Sequence, residues 1–568
     1  MKQETRNCQN CKNRFNIEPE DFDFYAKMKV PPPTFCPECR FQRRLLFWNT
    51  VNLYKRPCDL CKKFNISIYP PDAPYTIYCP SCWWGDKWDA RDFGQEYDFK
   101  RNFFEQLNDL WHRVPLIGLS INLSTAENCP YNHDAGYLKN CYLLFHADTV
   151  QDSAYGFYIG QSQSIFDSCA MEHSQFVYDS MHSYKTNHCI GARNQISESI
   201  ECLFCRDSQN CQNCFASANL KNKKYWAWNK PLTKEDYLAE VARYDIGSYA
   251  SYTELQKKAE EHWRKQMVKS EYNEFVTNCT GSNIFHSKNA KDCIEVSQCE
   301  DSRYLFRMFG PSNKDCYDIS MWGNNLSLSY EGMVIGESSS MVRFCCEAGI
   351  NLNDAEYCKL STGGSHHFGC VGMKKGDYSI LNRQYSKEEY EEMTNRIRTQ
   401  MNEMPYTDSR GNVYRYGEFF PPEFSPFAYN TTLAQNFFPL TKDQVGEKKY
   451  GWYEHAIEEH ETTMKAGSLP DHIKDTPDSI LDEKIACNKC ERAYRIIEME
   501  LKFHRQMNVP LPRECPFCRI NEKIDIWVKT NERNKRQCSG CNIEIESPYQ
   551  KEEHAEVYCR KCYLERLE

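Results

Sequence analysis

Several features are missing from this 568-residue chain, and each absence excludes something. No hydrophobic run reaches the roughly 18–20 residues of a membrane span, so no membrane partner is expected. The opening stretch MKQETRNCQN is polar and lacks the apolar segment of an export signal. Positive charge is not in excess. The 70 Lys and Arg residues face 79 Asp and Glu, and the net charge of -9 gives no overall pull toward nucleic acid. GxGxxG, P-loop, HExxH and GxSxG motifs are all absent, so the common signatures of nucleotide binding, metalloproteolysis and serine hydrolysis do not apply.

What is present in quantity is cysteine, at 32 residues. A long chain without an export signal is expected to keep its thiols reduced, for metal or for packing, and this places it in the cytoplasm. Half of the cysteines form CxxC pairs at the two ends. The first set is Cys8/Cys11, Cys36/Cys39, Cys58/Cys61 and Cys79/Cys82; the second is Cys487/Cys490, Cys515/Cys518, Cys538/Cys541 and Cys559/Cys562. A CxxC turn aims two thiolates at one point, and two such turns complete a tetrahedral four-cysteine zinc site. The stretches between successive pairs are 24, 18 and 17 residues in the first set and 24, 19 and 17 in the second. Met28-Lys29-Val30-Pro31-Pro32-Pro33 before Cys36 matches Met507-Asn508-Val509-Pro510-Leu511-Pro512 before Cys515. The module is therefore duplicated, with every ligand kept. Four structural Zn2+ ions are expected, bound by adjacent pairs or by a cross-braced arrangement, with no position left open for catalysis.

The other sixteen cysteines lie between Cys129 and Cys370 among recurring dyads. These include Asn140-Cys141, Asp152-Ser153, Asp167-Ser168, Asp179-Ser180, His188-Cys189, Asp207-Ser208, Asn210-Cys211 and Asn213-Cys214. They return as Asn278-Cys279, Asp292-Cys293, Asp301-Ser302 and Asp315-Cys316. Equivalent positions recur at about 21–24 residues, with short alternating apolar runs between them, which reads as a parallel β-helix-like solenoid. Small Cys and Ser side chains would stack in ladders inside it, with Asn and Asp at the corners. Cys202/Cys205, Cys211/Cys214 and Cys345-Cys346 are open to a second reading as metal ligands. The solenoid is itself duplicated, since both Lys224–Tyr237 and Gly376–Tyr390 run from strand to helix through a cap at Thr233 or Ser386.

The fold class is thus mainly β: a duplicated solenoid flanked at both ends by duplicated double zinc-ribbon, treble-clef-like modules, with a few capping helices. In chain order we expect an N-terminal double zinc-ribbon module at 1–95, a capping helix and connector at 96–124 and the first solenoid half at 125–232. A helical insertion at 233–274 and the second half at 275–385 follow. A helix with an aromatic, Pro-rich loop region occupies 386–453, a charged linker 454–484, and the C-terminal double zinc-ribbon module 485–568. The amphipathic segment at 97–112 is expected to cap the first solenoid turn.

Cys36-Pro37-Glu38-Cys39-Arg40 with Arg43-Arg44, Tyr54-Lys55-Arg56-Pro57-Cys58-Asp59-Leu60-Cys61 and Cys79-Pro80-Ser81-Cys82-Trp83-Trp84 form one group of motifs. With the Asn-Cys repeats and Gly417–Asn430, this group resembles an uncharacterised zinc-ribbon, cysteine-repeat family of candidate phyla radiation (Patescibacteria) bacteria. The resemblance implies a bacterial cytosolic protein. It brings no established activity. Some relatives carry a CoA-transferase label, which neither an α/β pattern nor a nucleophilic carboxylate motif supports here.

Three functional readings follow. The first is a non-enzymatic scaffold that binds a protein partner through the solenoid and zinc modules. The second is RNA or single-stranded DNA binding by the N-terminal module, through Arg40, Arg43, Arg44, Trp48, Lys55 and Arg56. Cations interleaved with aromatics suit phosphate contact and base stacking. Those same cations could instead balance the charge of about -2 on each four-thiolate zinc centre. The third is a β-helix enzyme acting on a polymer such as polysaccharide, with Asp152, Asp167, Asp179, Glu198 and Asp207 as available acids and His366-His367 as the one local feature of note. No catalytic residue is assigned.

Overall fold

The computed structural model describes residues 2–454, 461–553 and 556–567. Residues 455–460 of the expected charged linker lie outside the described residues. The protein is mainly β, and its centre is a parallel solenoid.

The solenoid is built on a three-residue rhythm. Asn140, Leu143, His146, Thr149, Asp152 and Tyr155 all have φ near +50 to +60°. The residues that follow five of them, Cys141, Leu144, Ala147, Val150 and Ser153, are buried. Each triplet thus turns a left-handed corner and then places one side chain inside. Four triplets close one turn. Gln175 pairs in parallel with Asn187 and with Gln163, and Cys202 lies beside Cys214. The hydrogen bond from Ala192 N–H to Ser180 Oγ spans the same separation of 12 residues. The expected period of about 21–24 residues is corrected: one turn takes about 12, with Ser168 stacked on Ser180 and Cys189 on Val177, so Ser168 and Cys189 stand in different columns.

The rhythm explains the dyads. Non-glycine residues avoid positive φ, and Asn, Asp and His tolerate it best. Every dyad named above puts its Asn, Asp or His at such a corner, for example Asn140 at 50°, Asp179 at 50° and Asp315 at 54°. The inward Ser then joins successive turns. Ser180 Oγ donates to the Tyr178 carbonyl at 2.9 Å and accepts from Ala192 N–H at 3.1 Å. Ser168 does the same with Phe166 and Ser180, and Ser174 with Glu172 and Thr186. A buried corner N–H that the ladder cannot reach is satisfied in this way. Cysteines occupy equivalent slots among Ile, Val and Ala and form the two solenoid cores. Their thiols contact backbone carbonyls, as Cys358 does with Glu356 at 3.3 Å.

Both halves end alike. Asn229 at φ 59° and Asn382 at φ 65° each clamp the turn before through two side-chain bonds, to Ala218 and to Val371. A short antiparallel hairpin closes each half, and helices Lys234–Val241 and Lys387–Glu403 start at Thr233 and Ser386. Ser386 forms a full capping box with Glu389.

The chain divides into two units. One joins residues 1–119 to 272–454, so the N-terminal module belongs with the second solenoid half. The other joins 120–271 to 455–568, so the C-terminal module belongs with the first half. The amphipathic helix, observed at Phe103–Arg113, is accordingly corrected in place. It packs on the second half, with the Phe103 ring 5.2 Å from those of Tyr357 and Phe368. Its apolar face was legible, but the surface it covers is distant in sequence. Among the described residues, no helix is long and apolar enough to cross a membrane.

Candidate metal centres

Each module half begins with a short antiparallel hairpin or strand pair whose turn carries the first CxxC. In the first, strands Glu4–Asn7 and Arg14–Ile17 flank Cys8 and Cys11. Cys8 N–H bonds Asn13 O, and Lys12 N–H returns to Cys8 O. Lys12 takes φ 66°, and Lys62, Glu491 and Asn542 take 61°, 61° and 59° one residue after Cys61, Cys490 and Cys541. All four turns therefore have the same shape.

The second CxxC opens a helix. Cys36, Cys79 and Cys515 occupy the N-cap positions of Pro37–Leu45, Pro80–Trp84 and Pro516–Thr530, each with Pro next, and Cys559 immediately precedes Arg560–Leu567. Proline suits this position because its missing N–H would have no helical partner.

The two turns converge in four tetrads: Cys8, Cys11, Cys36, Cys39; Cys58, Cys61, Cys79, Cys82; Cys487, Cys490, Cys515, Cys518; and Cys538, Cys541, Cys559, Cys562. Within each, the sulfurs lie inside 4.8 Å of one another. Adjacent pairs combine, so the cross-braced alternative is corrected. The Cys11–Cys36, Cys490–Cys515 and Cys541–Cys559 sulfur separations are 3.7, 3.6 and 3.8 Å. A tetrahedral ion with metal–sulfur bonds of about 2.3 Å requires sulfur edges of about 3.8 Å, so the four thiols fit such an ion. Among the described residues, the solenoid cysteines form no comparable group of three.

The backbone already favours thiolate here. Cys79, Cys515 and Cys559 N–H each donate to the sulfur of Cys58, Cys487 or Cys538 at 3.2 Å. Burial raises these three acceptor thiols, but the backbone donors outweigh it and bring Cys58 and Cys487 to about 7 and Cys538 to about 6. Cys82 is pushed up to about 12 by burial and by its Cys79 neighbour. Four sulfurs this close share ionisation only when a cation neutralises them.

The residues expected to contact nucleic acid do something else. Arg40, Arg43 and Arg44 are 1 %, 3 % and 0 % exposed. Arg40 Nη2 meets Asp318 at 2.8 Å, Arg44 Nη1 meets the other oxygen of Asp318 at 3.0 Å, and Arg43 pairs with Glu331 and with Glu418. Burial opposes the Arg40 charge, and Asp318 more than restores it. Trp48 is buried, and Arg56 is buried against the Pro70 carbonyl and Asp59. Lys55 alone is exposed, beside the Phe64 ring. The single exposed cationic face is therefore corrected. Three of its arginines lie on one face of the helix Pro37–Leu45 and dock the module onto acidic solenoid corners.

The second module docks in the same way. Arg519 follows Cys518 as Arg40 follows Cys39, and it meets Asp167 at 2.5 Å and Glu500 at 2.9 Å. Lys523, in the place of Arg44, meets Asp179 at 2.5 Å. Phe24 stacks on Tyr317 at 3.8 Å, next to Asp318, and Phe503 stacks on Phe166 at 4.0 Å, next to Asp167. Asp318, Glu331 and Glu418 were missed in the sequence. The signal that could have found them is an aromatic-Asp pair, Tyr317-Asp318 and Phe166-Asp167, at matching places in the two halves. His366 contacts Asp354 at 2.7 Å and stacks on Tyr378, and His367 is buried against the Gly376 carbonyl at 2.9 Å.

No protein-family model and no curated protein matches the chain. Among solved structures, a candidate acetyltransferase from Desulfovibrio desulfuricans G20 is similar over 50 % of this chain and 84 % of its own, at 10 % identity and a TM-score of 0.10. A likeness that slight carries no argument.

Proposed function

We propose that the protein is a cytosolic, non-enzymatic interaction scaffold held together by four structural zinc ions, with a protein partner on the solenoid. The observation that carries this reading is the closure of every metal site. Each tetrad offers four thiols to one ion and keeps no position for water or substrate, so the metal stabilises and does not react. An all-sulfur tetrahedral set selects zinc or iron, and the divalent, redox-silent choice suits a structural role. The docking pairs support the reading too, because they anchor each metal module on its solenoid half. The regular faces of such a solenoid suit extended protein contacts.

The test is recovery of the tagged full chain from its host after cross-linking, with and without nuclease. The scaffold reading expects a protein that survives nuclease and cross-links to exposed solenoid corners. Recovery of nucleic acid, lost on nuclease treatment, would instead support the second reading. That reading now rests on the hairpin carrying Lys55, Lys62, Lys63 and Phe64, all exposed.

A further inference from the structure

Beside the second metal centre, three tryptophans surround one amine. Lys374 Nζ lies 4.9 Å from the ring centroid of Trp83, 5.9 Å from Trp84 and 4.6 Å from Trp88. The rings are held at angles to one another, with Trp83 and Trp84 at 84° and Trp83 and Trp88 at 55°. Two of them, Trp83 and Trp88, are oriented by bonds that do not involve the amine. Trp83 Nε1 donates to Pro115 O at 3.0 Å, and Trp88 Nε1 donates to Trp83 O at 2.8 Å. Lys374 also donates to that Trp83 carbonyl. The carbonyl would thus keep the Trp88 donor if Lys374 left.

One wall is open, since Trp84 is 54 % exposed. Lys374 itself comes from a loop between Gly372 at φ 68° and Gly376 at φ 111°, outside any strand. Burial lowers its pKa, and the carboxylates of Asp86 and Asp89 oppose that by attracting the charge. The duplicated module has no such feature. The residues after Cys562 are Tyr563 and Leu564, and Tyr563 donates to Asn219 Oδ1 at 2.9 Å. Docking a metal module on this solenoid therefore does not require a tryptophan box.

We infer that Trp83, Trp84 and Trp88 form an aromatic cage for an alkylated ammonium group, held closed in this chain by its own Lys374. Aromatic faces attract cations, and quaternary ammonium groups are recognised by cages of this kind. The nearby carboxylates favour a cation that carries no phosphate, so trimethyllysine within a protein is the occupant that fits, ahead of a choline headgroup. Binding exchanges one ammonium for another, with no bond made or broken.

The test uses the full chain and needs no folding assumption. A lysine-acylating reagent is applied with and without tetramethylammonium chloride, using sodium chloride at equal ionic strength as the control, and labelling of Lys374 and Lys375 is read by mass spectrometry. Tetramethylammonium should speed labelling of Lys374 and leave exposed Lys375 unchanged. Calorimetry on Lys374→Ala should show tetramethylammonium binding at least about tenfold tighter than in the unaltered chain, as expected when a competing cation–π partner is removed. Adding Trp84→Ala should abolish that gain. N-acetyl-trimethyllysine amide should bind Lys374→Ala more tightly than phosphocholine does. Lys374 labelling that ignores tetramethylammonium would overturn the cage, and tighter binding of phosphocholine would overturn its assignment to a lysine side chain.

Discussion

At the scale of single residues, the same arginine run supports opposite functions depending on what faces it. Cys39-Arg40 and the Arg43-Arg44 pair read in sequence as a cationic surface, because their partners Asp318, Glu331 and Glu418 are hundreds of positions away. A buried ion pair contributes little net stability when intact, but removing one member leaves the other charged and unsolvated. Arg43→Ala takes the cation from both Glu331 and Glu418 and should therefore destabilise the unit containing residues 1–119 by roughly 3–5 kcal/mol while leaving any bound metal in place. Denaturant unfolding with parallel metal analysis checks this. Unchanged stability, or loss of metal with stability kept, would contradict the docking role. The sixteen terminal cysteines were legible because four thiols that converge on one point constrain spacing along the chain. An ion pair between distant segments leaves no such spacing.

At the scale of elements, the corner-and-ladder logic of the solenoid was readable and its pitch was not. The Asn and Asp corners stand out because left-handed backbone selects them. The inward slots do not, since Cys141, Leu144, Ala147, Val150 and Ser153 share nothing but burial. A repeat in chemistry was visible only where Ser or Cys recurred, as at Ser168 and Ser180 or Cys202 and Cys214, and the slots between them hold Ile, Val and Ala. The hydroxyl bridges give a prediction at this level. Ser180→Ala removes the acceptor of Ala192 N–H and leaves a buried donor unsatisfied. The cost should be about 1–3 kcal/mol, with faster amide exchange at Ala192. Exchange at Ala192 that does not change would show that the Ser ladder only fills space. Ser180→Cys should lose less, since Cys345 already serves as an acceptor for Cys358 N–H at 3.3 Å.

At the scale of the whole molecule, each unit combines a four-cysteine terminal module with a solenoid half from a different part of the chain. Sequence order suggested neighbours, but duplication allowed either half to receive either module. The side chains at the interface decide, with Arg40 and Arg44 on Asp318 in one unit and Arg519 and Lys523 on Asp167 and Asp179 in the other. Because structural zinc contributes folding free energy directly, chelation should unfold the terminal modules first. Circular dichroism should then keep the β signal of the solenoid while proteolysis cuts within the modules. Collapse of the whole β signal on chelation would contradict the assignment of the solenoid cysteines to packing.

Each of the four closed cysteine tetrads is expected to hold one ion. Native mass spectrometry of the full chain, purified without added metal, tests it most directly. Four zinc ions per chain are expected, and three in a Cys58→Ser, Cys79→Ser variant, with the other tetrads still filled. Two ions or fewer in the unaltered chain, or four in the variant, would contradict it.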